Sequence, residues 1–167
     1  LALHDRLASV LITHGGDAAL VAAHLSRGSR PEESVPHFLR AAREARAALA
    51  FERAAKLLRS ALAHGRFVDA ERRGILVDLA ENAKDAGHAS TAADAFVEAA
   101  LVPGTEPLVA RDLLRRASEH FLASGHLEKG IEVAMEPDDA ETLARGTVDS
   151  SRSATTCRSA SPRIPRS

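Results

Sequence analysis

One phrase recurs along this chain: a small-residue helix end, a glycine, then a second helix patterned on alanine. It reads AAHLSRGSRPEESVPHFLRAA from Ala22 to Ala42, NAKDAGHASTAADAFVEAA from Asn82 to Ala100, and HFLASGHLEKGIEVA from His120 to Ala134. Gly28, Gly87 and Gly125 sit where one helix stops. Nine or ten residues later comes Phe38, Phe96 or Ala134, where the next helix must pack closely. A glycine stop followed by a closely packing helix, repeated at tens of residues, is the pattern of stacked helical hairpins.

Composition points the same way. Alanine fills roughly a fifth of the 167 positions, an excess over ordinary globular usage, while there are five Phe and no Trp or Tyr. Alanine is the best helix former and lets helix axes approach, and the scarcity of aromatic and β-branched residues leaves little to build a sheet. No strand is expected. A net charge of −1 provides no bulk field toward nucleic acid or membrane. Apolar runs are broken by charge every few residues, which is incompatible with a membrane-spanning helix, and the N-terminus lacks signal-peptide order. The lone Cys157 has no internal disulfide partner and suits a reducing, cytoplasmic compartment.

Apolar spacing divides residues 1–146 into helices. Leu3, Leu7, Val10 and Leu11 form a first stripe closed by Gly15 and Gly16. Asp17 is placed to cap a short helix carrying Leu20, Val21 and His24 and ending at Gly28. Pro31 opens a longer helix, in the position where a missing amide hydrogen costs nothing, with Val35, Phe38, Leu39, Ala42, Ala45 and Leu49 on its face. Phe51 to Leu62 form the next helix, stopped near Gly65, although Ala47 to Ala50 contain no turn former. Further helices run from after Asp69 to Gly87, through Ala92 to Ala99, from Val109 to Gly125 and from Leu127 to Met135, with one last turn or two expected within Asp138 to Arg145. Gly130 costs that penultimate helix about 1 kcal/mol relative to alanine, so fraying is expected there.

Residues 147–167 differ in kind: rich in Ser, Thr, Arg and Pro, they carry Arg152, Arg158, Arg163 and Arg166 against Asp149 alone. Such a segment cannot bury enough apolar surface to offset the entropy of ordering, and a disordered tail is expected. The abrupt change after Arg145 is also what a shift of reading frame would produce. At the other end, Leu1 in place of Met, with helical periodicity already under way at Leu3, leads us to expect an internal piece of a longer chain.

Short connections make successive helices antiparallel neighbours, and Gly87 to Gly125 is 38 residues. The expected fold is therefore all-α, a right-handed α-solenoid of antiparallel helical hairpins. The stretches LHDRLASVL (Leu3 to Leu11), LVAAHLSRGSRPEESVPHFLRAAREA (Leu20 to Ala45) and LAFERAAKLLRSALAHG (Leu49 to Gly65) resemble the tetratricopeptide-like region downstream of the ATPase module in large bacterial signalling proteins. These are serine/threonine protein kinases or cyclases fused to a signal-transduction ATPase. The resemblance extends more weakly to Met135. It implies a regulatory, protein-binding segment; the alternative is a fragment of a serine/threonine kinase or ATPase whose catalytic domains lie upstream.

Chemistry of its own is not indicated. No glycine-rich loop precedes a Lys and Ser or Thr, so there is no common phosphate cradle, and no cofactor is expected. None of the eight His stand three or four apart, so no single helix presents a two-His metal face. His88 and His126 follow turn glycines and read as caps; His24 reads as a hydrogen-bonded residue of an apolar face. Asp138 and Asp139 suit a helix start, and Cys157 has no ordered base nearby. Catalytic and metal-binding residues are therefore both expected to be none.

What remains is recognition of a protein or peptide through a concave face, with contacts expected along the first helix of each hairpin around His24, Asn82 and His120. A second candidate is a basic strip of Arg40, Arg43 and Arg46 on one helix with Arg53, Lys56 and Arg59 on the next, able to meet an acidic or phosphorylated peptide; its plain alternative is a solvated outer face. No aromatic residue is interleaved to stack on bases, so nucleic acid is not an expected partner. A truncated array would also expose apolar ends, which makes self-association as a structural spacer a third expectation.

Overall fold

A computed structural model describes residues 1–135. Eight α-helices follow one another: α1 (Ala2–Thr13), α2 (Ala18–Leu25), α3 (Val35–Ala47), α4 (Phe51–His64), α5 (Asp69–Asp85), α6 (Ala89–Ala100), α7 (Pro107–Ala123) and α8 (Leu127–Met135). There is no strand among the described residues. The expected turns within Asp138 to Arg145, the tail at 147–167 and Cys157 lie outside the described residues.

Four turns share one geometry. Gly15, Leu49, Gly87 and Gly125 all have positive φ, at 66°, 57°, 80° and 81°. After each, the next amide reaches five residues back: Gly16 to the Leu11 carbonyl, Ala50 to Ala45, His88 to Ala83 and His126 to Phe121, at 2.7 to 2.9 Å. This left-handed closure satisfies carbonyls that the helix end leaves unpaired. It joins α1 to α2, α3 to α4, α5 to α6 and α7 to α8, so the described residues form four hairpins whose turns lie 34, 38 and 38 residues apart.

Gly28 does not belong to this set. It follows α2, between the first and second hairpins, whereas Gly87 and Gly125 close the first helices of theirs. The turn equivalent to theirs is Leu49, in a stretch without a turn former. A leucine there carries the steric cost of the left-handed region, about 1–2 kcal/mol, while its side chain is 73% exposed and packs little. Leu49→Gly is expected to stabilise the fold, by about 0.5–1 kcal/mol once the greater flexibility of unfolded glycine is subtracted. A lowered denaturation midpoint would contradict the equivalence of the four turns.

The 38-residue spacing governs packing as well. Phe38, Leu76 and Leu114 are buried; so are Ala41, Leu79 and Ala117, and likewise Ala42, Ala80 and Ser118, then Ala45, Ala83 and Phe121. In the second helices Ala54, Ala92 and Gly130 occupy one register position, and Leu57, Ala95 and Val133 another, all buried. At Gly130 a Cβ would lie 2.9 Å from the Leu122 side chain, so this glycine accommodates a close approach of α8 to α7. Its carbonyl accepts a 2.7 Å hydrogen bond from the Ser118 hydroxyl, which satisfies the one polar side chain in this set.

Local signals match their elements. Asp17 caps α2, accepting from the Leu20 amide at 3.0 Å. Pro31 opens not α3 itself but a 3-10 turn, Pro31–Ser34, which leads directly into α3 with Pro36 in its first turn. One continuous core runs from Ala18 in α2 to Val133 in α8. A separate small cluster of Ala8, Val21 and Leu25 holds α1 to α2.

Candidate functional site

Side chains of three helices gather around Phe96, which has no exposed surface. Two side chains of α7, one turn apart, cover its ring. The Arg116 guanidinium lies 4.0 Å from the ring centroid, and the His120 imidazole stacks at 5.8 Å with planes 10° apart. From α5, Glu81 pairs with Arg116 and also with Lys84. Aromatic, cation, carboxylate and imidazole therefore come from three consecutive helices, with Arg116 held by Glu81 where the cation–π attraction acts.

Burial pushes the His120 imidazole below its ordinary pKa, and the neighbouring charges of Lys84 and Arg116 push it further. His37 on α3 is lowered too, by burial and then by Arg40. Near α1, Asp5 accepts from the Ser29 amide at 2.9 Å, and that hydrogen bond lowers its pKa. In all three cases the folded state holds fewer protons than the unfolded state. Their contributions are present above the unfolded pKa and are lost as pH falls through the folded one. The histidine window opens just below 6.5 and the Asp5 window below 3.8. The urea midpoint is therefore expected to fall between pH 7 and pH 5, and His120→Phe, which keeps the stacking, to flatten part of that slope. An unchanged slope would contradict the placement of His120.

The three residues expected around a binding face separate. Asn82 and His120 lie on first helices, α5 and α7, at the same register position, but His24 lies on α2, the second helix of its hairpin. Asn82 is 2% exposed. Its side-chain amide donates to the Asp78 carbonyl at 2.7 Å, while its Oδ1 is buried without a hydrogen-bond partner. His24 meets His4 of α1, Nδ1 to Nδ1 at 3.0 Å. The ring centroids are 5.3 Å apart, close to the nitrogen separation plus two ring radii, so the nitrogens lie almost on the line between the rings. That is the geometry of an N–H···N bond in which one ring donates and the other accepts. Spacing along single helices could not reveal this pair.

Half of the basic strip is compensated. Arg40 lies 3.6 Å from Glu44, Arg46 3.9 Å from Asp78 and Lys56 2.7 Å from Glu52. Arg53 lines a cleft at the α3–α4 turn together with Leu49, Phe51 and Asp85. Arg59 lines a groove between α4, α5 and α6, with Arg72, Asp94 and Glu98.

No family model, curated protein or solved structure matches the chain. Among the described residues no group of three or more His, Cys, Asp or Glu is placed to hold a metal ion, and no helix is long and apolar enough to cross a membrane.

Two ion pairs missed by sequence reasoning join first helices of successive hairpins: Arg46 of α3 with Asp78 of α5, and Glu81 of α5 with Arg116 of α7. A partial register signal for them exists. At 38-residue spacing Arg40, Asp78 and Arg116 share one position and alternate in sign, while Arg43, Glu81 and Glu119 share another and change sign once. Arg46 is equivalent to Lys84, so the register marks Asp78, Glu81 and Arg116 but not Arg46.

Proposed function

We propose that this chain is a non-catalytic scaffold, a right-handed tetratricopeptide-like solenoid that binds a protein or peptide across the first helices of its hairpins. It would serve as a regulatory segment of a larger bacterial signalling protein, as the resemblance of Leu3 to Gly65 implies. The observation that supports the binding face is the pair of ion bridges, Arg46 to Asp78 and Glu81 to Arg116, which link α3, α5 and α7 in succession. Three first helices so linked offer a surface several turns long, which suits an extended or helical ligand. His120, half-buried and with a lowered pKa, is favoured in its neutral form at physiological pH, so that its ring can both donate and accept a hydrogen bond to a peptide.

Panning a displayed peptide library against the folded chain tests this reading. Enriched peptides are expected to bind saturably and to lose at least about tenfold in affinity, roughly 1.4 kcal/mol, on His120→Ala. The reading is overturned if no peptide is enriched, or if the enriched ones are indifferent to every substitution on α3, α5 and α7.

A further inference from the structure

The face of α1 that is open to solvent corresponds in register to faces that the later hairpins cover. Leu7 is equivalent to Ala41, Leu79 and Ala117, all buried, and Leu3 to the buried Ile75 and Leu113 and the half-buried His37; Val10 is equivalent to the exposed Glu44, the buried Asn82 and the half-buried His120. The Leu7 position, covered in every later hairpin, lies on first helices against which the preceding second helix packs, α2 on α3, α4 on α5 and α6 on α7. On α1 the same positions are apolar and exposed, Leu3 by 67%, Leu7 by 39% and Val10 by 56%. Three branched side chains at successive helix turns form a contiguous apolar stripe of the kind that marks an interface.

The matching surface lies on α8. Ile131 is equivalent to Ala55 and Ala93, both buried beneath the following hairpin, yet it is 55% exposed, and Leu127 one turn earlier is also exposed. Beside these stripes stand opposite charges, Arg6 on α1 and Glu128 and Glu132 on α8.

We propose that a second copy of this chain docks head to tail, with its α8 laid on the Leu3–Leu7–Val10 face of α1 in the register that α2, α4 and α6 use on the first helices that follow them. The contact continues the internal packing and does not depend on the peptide-binding reading. It pairs two different surfaces, so one copy leaves a free end for the next and assembly is open-ended.

Sedimentation velocity over a wide concentration range, on the full chain, reads the outcome. The average mass is expected to climb past the dimer without a plateau. Leu7→Glu alone and Ile131→Glu alone should each stay monomeric, while an equimolar mixture of the two should form a dimer and stop, because only one intact pair of surfaces remains. Both positions are partly exposed, so both variants should retain native helical circular dichroism; should either lose it, Leu3→Lys or Leu127→Lys takes its place. The proposal is overturned if the unmodified chain stays monomeric throughout, if it stops at a dimer, or if a folded single variant associates as the parent does.

Discussion

Phe96→Ala is expected to cost about 3–5 kcal/mol, the usual range for emptying a fully buried aromatic site. Domains of this size have a total stability of about 5–15 kcal/mol, so the variant should sit near the edge of folding. The ring has no exposed surface and carries Arg116 and His120 above it. Its removal therefore leaves a void and also strips the guanidinium of the face it rests on. Repacking is limited, since Ala92, Ala93, Ala95 and Ala99 around it on α6 are too small to fill the space. Chemical denaturation should show a lower midpoint with an unchanged slope, the sign of lost stability without a change in the surface exposed on unfolding. Phe51→Ala, at a half-buried helix start, should cost clearly less. A loss at position 96 under about 1 kcal/mol, near the average for any substitution, would mean that α6 and α7 are not packed as described.

Ala92→Leu tests the opposite failure. Ala92 is fully buried and shares its register position with Ala54 and Gly130. At Gly130 the partner side chain already stands 2.9 Å from where a Cβ would be. Only small residues occupy this position in α4, α6 and α8, whereas its equivalent on α2 is the exposed Leu20; in the last three hairpins it marks the place where the second helix approaches the first. A leucine there must push α6 from α5, at about 1–3 kcal/mol or more, and Ala54→Leu should do the same between α4 and α3. Leucine has nearly the helix propensity of alanine, so the loss would be steric. A neutral outcome at both positions would remove the argument for close approach.

Much of the helix pattern was legible because amphipathic spacing and capping are local. Asp17, Gly87 and Gly125 announce their roles within a few residues, and the eight helices lie close to where the spacing put them. Leu3, Leu7 and Val10 of the stripe read for α1 nevertheless face solvent while Ala8 is buried, and Leu49, read onto the face of α3, lies in the turn that follows it. The α3–α4 boundary was hidden because Leu49 takes a conformation that leucine rarely adopts, and only the hairpin context holds it there. Gly28 misled the phase of the repeat because a glycine stop looks the same after either helix of a hairpin. The 3-10 turn at Pro31–Ser34 was hidden for a similar reason: a proline opens either kind of turn, and the first amides are unpaired in both.

The candidate sites were less legible. His4 with His24, Arg46 with Asp78 and Glu81 with Arg116 stand 20 to 35 residues apart, so each depends on how one helix lies against another. Asn82, which looks polar and available, is buried, while its register equivalents Glu44 and His120 are exposed and half-buried, so the spacing alone does not give its environment. Val10, an ordinary apolar residue, is 56% exposed.

That dependence on neighbours makes native-state hydrogen exchange the most direct measurement. If each hairpin is stabilised chiefly by the ones beside it, stability is distributed along the array and the ends open first. Amides of α5, α6 and the facing half of α7 should exchange slowest. Those of α1 should exchange fastest, since Ala8 is its one buried side chain, and α2 and α3 should fall between. Equal protection of α1 and α6, rising and falling together as denaturant is added, would contradict the account and make the chain a single cooperative bundle.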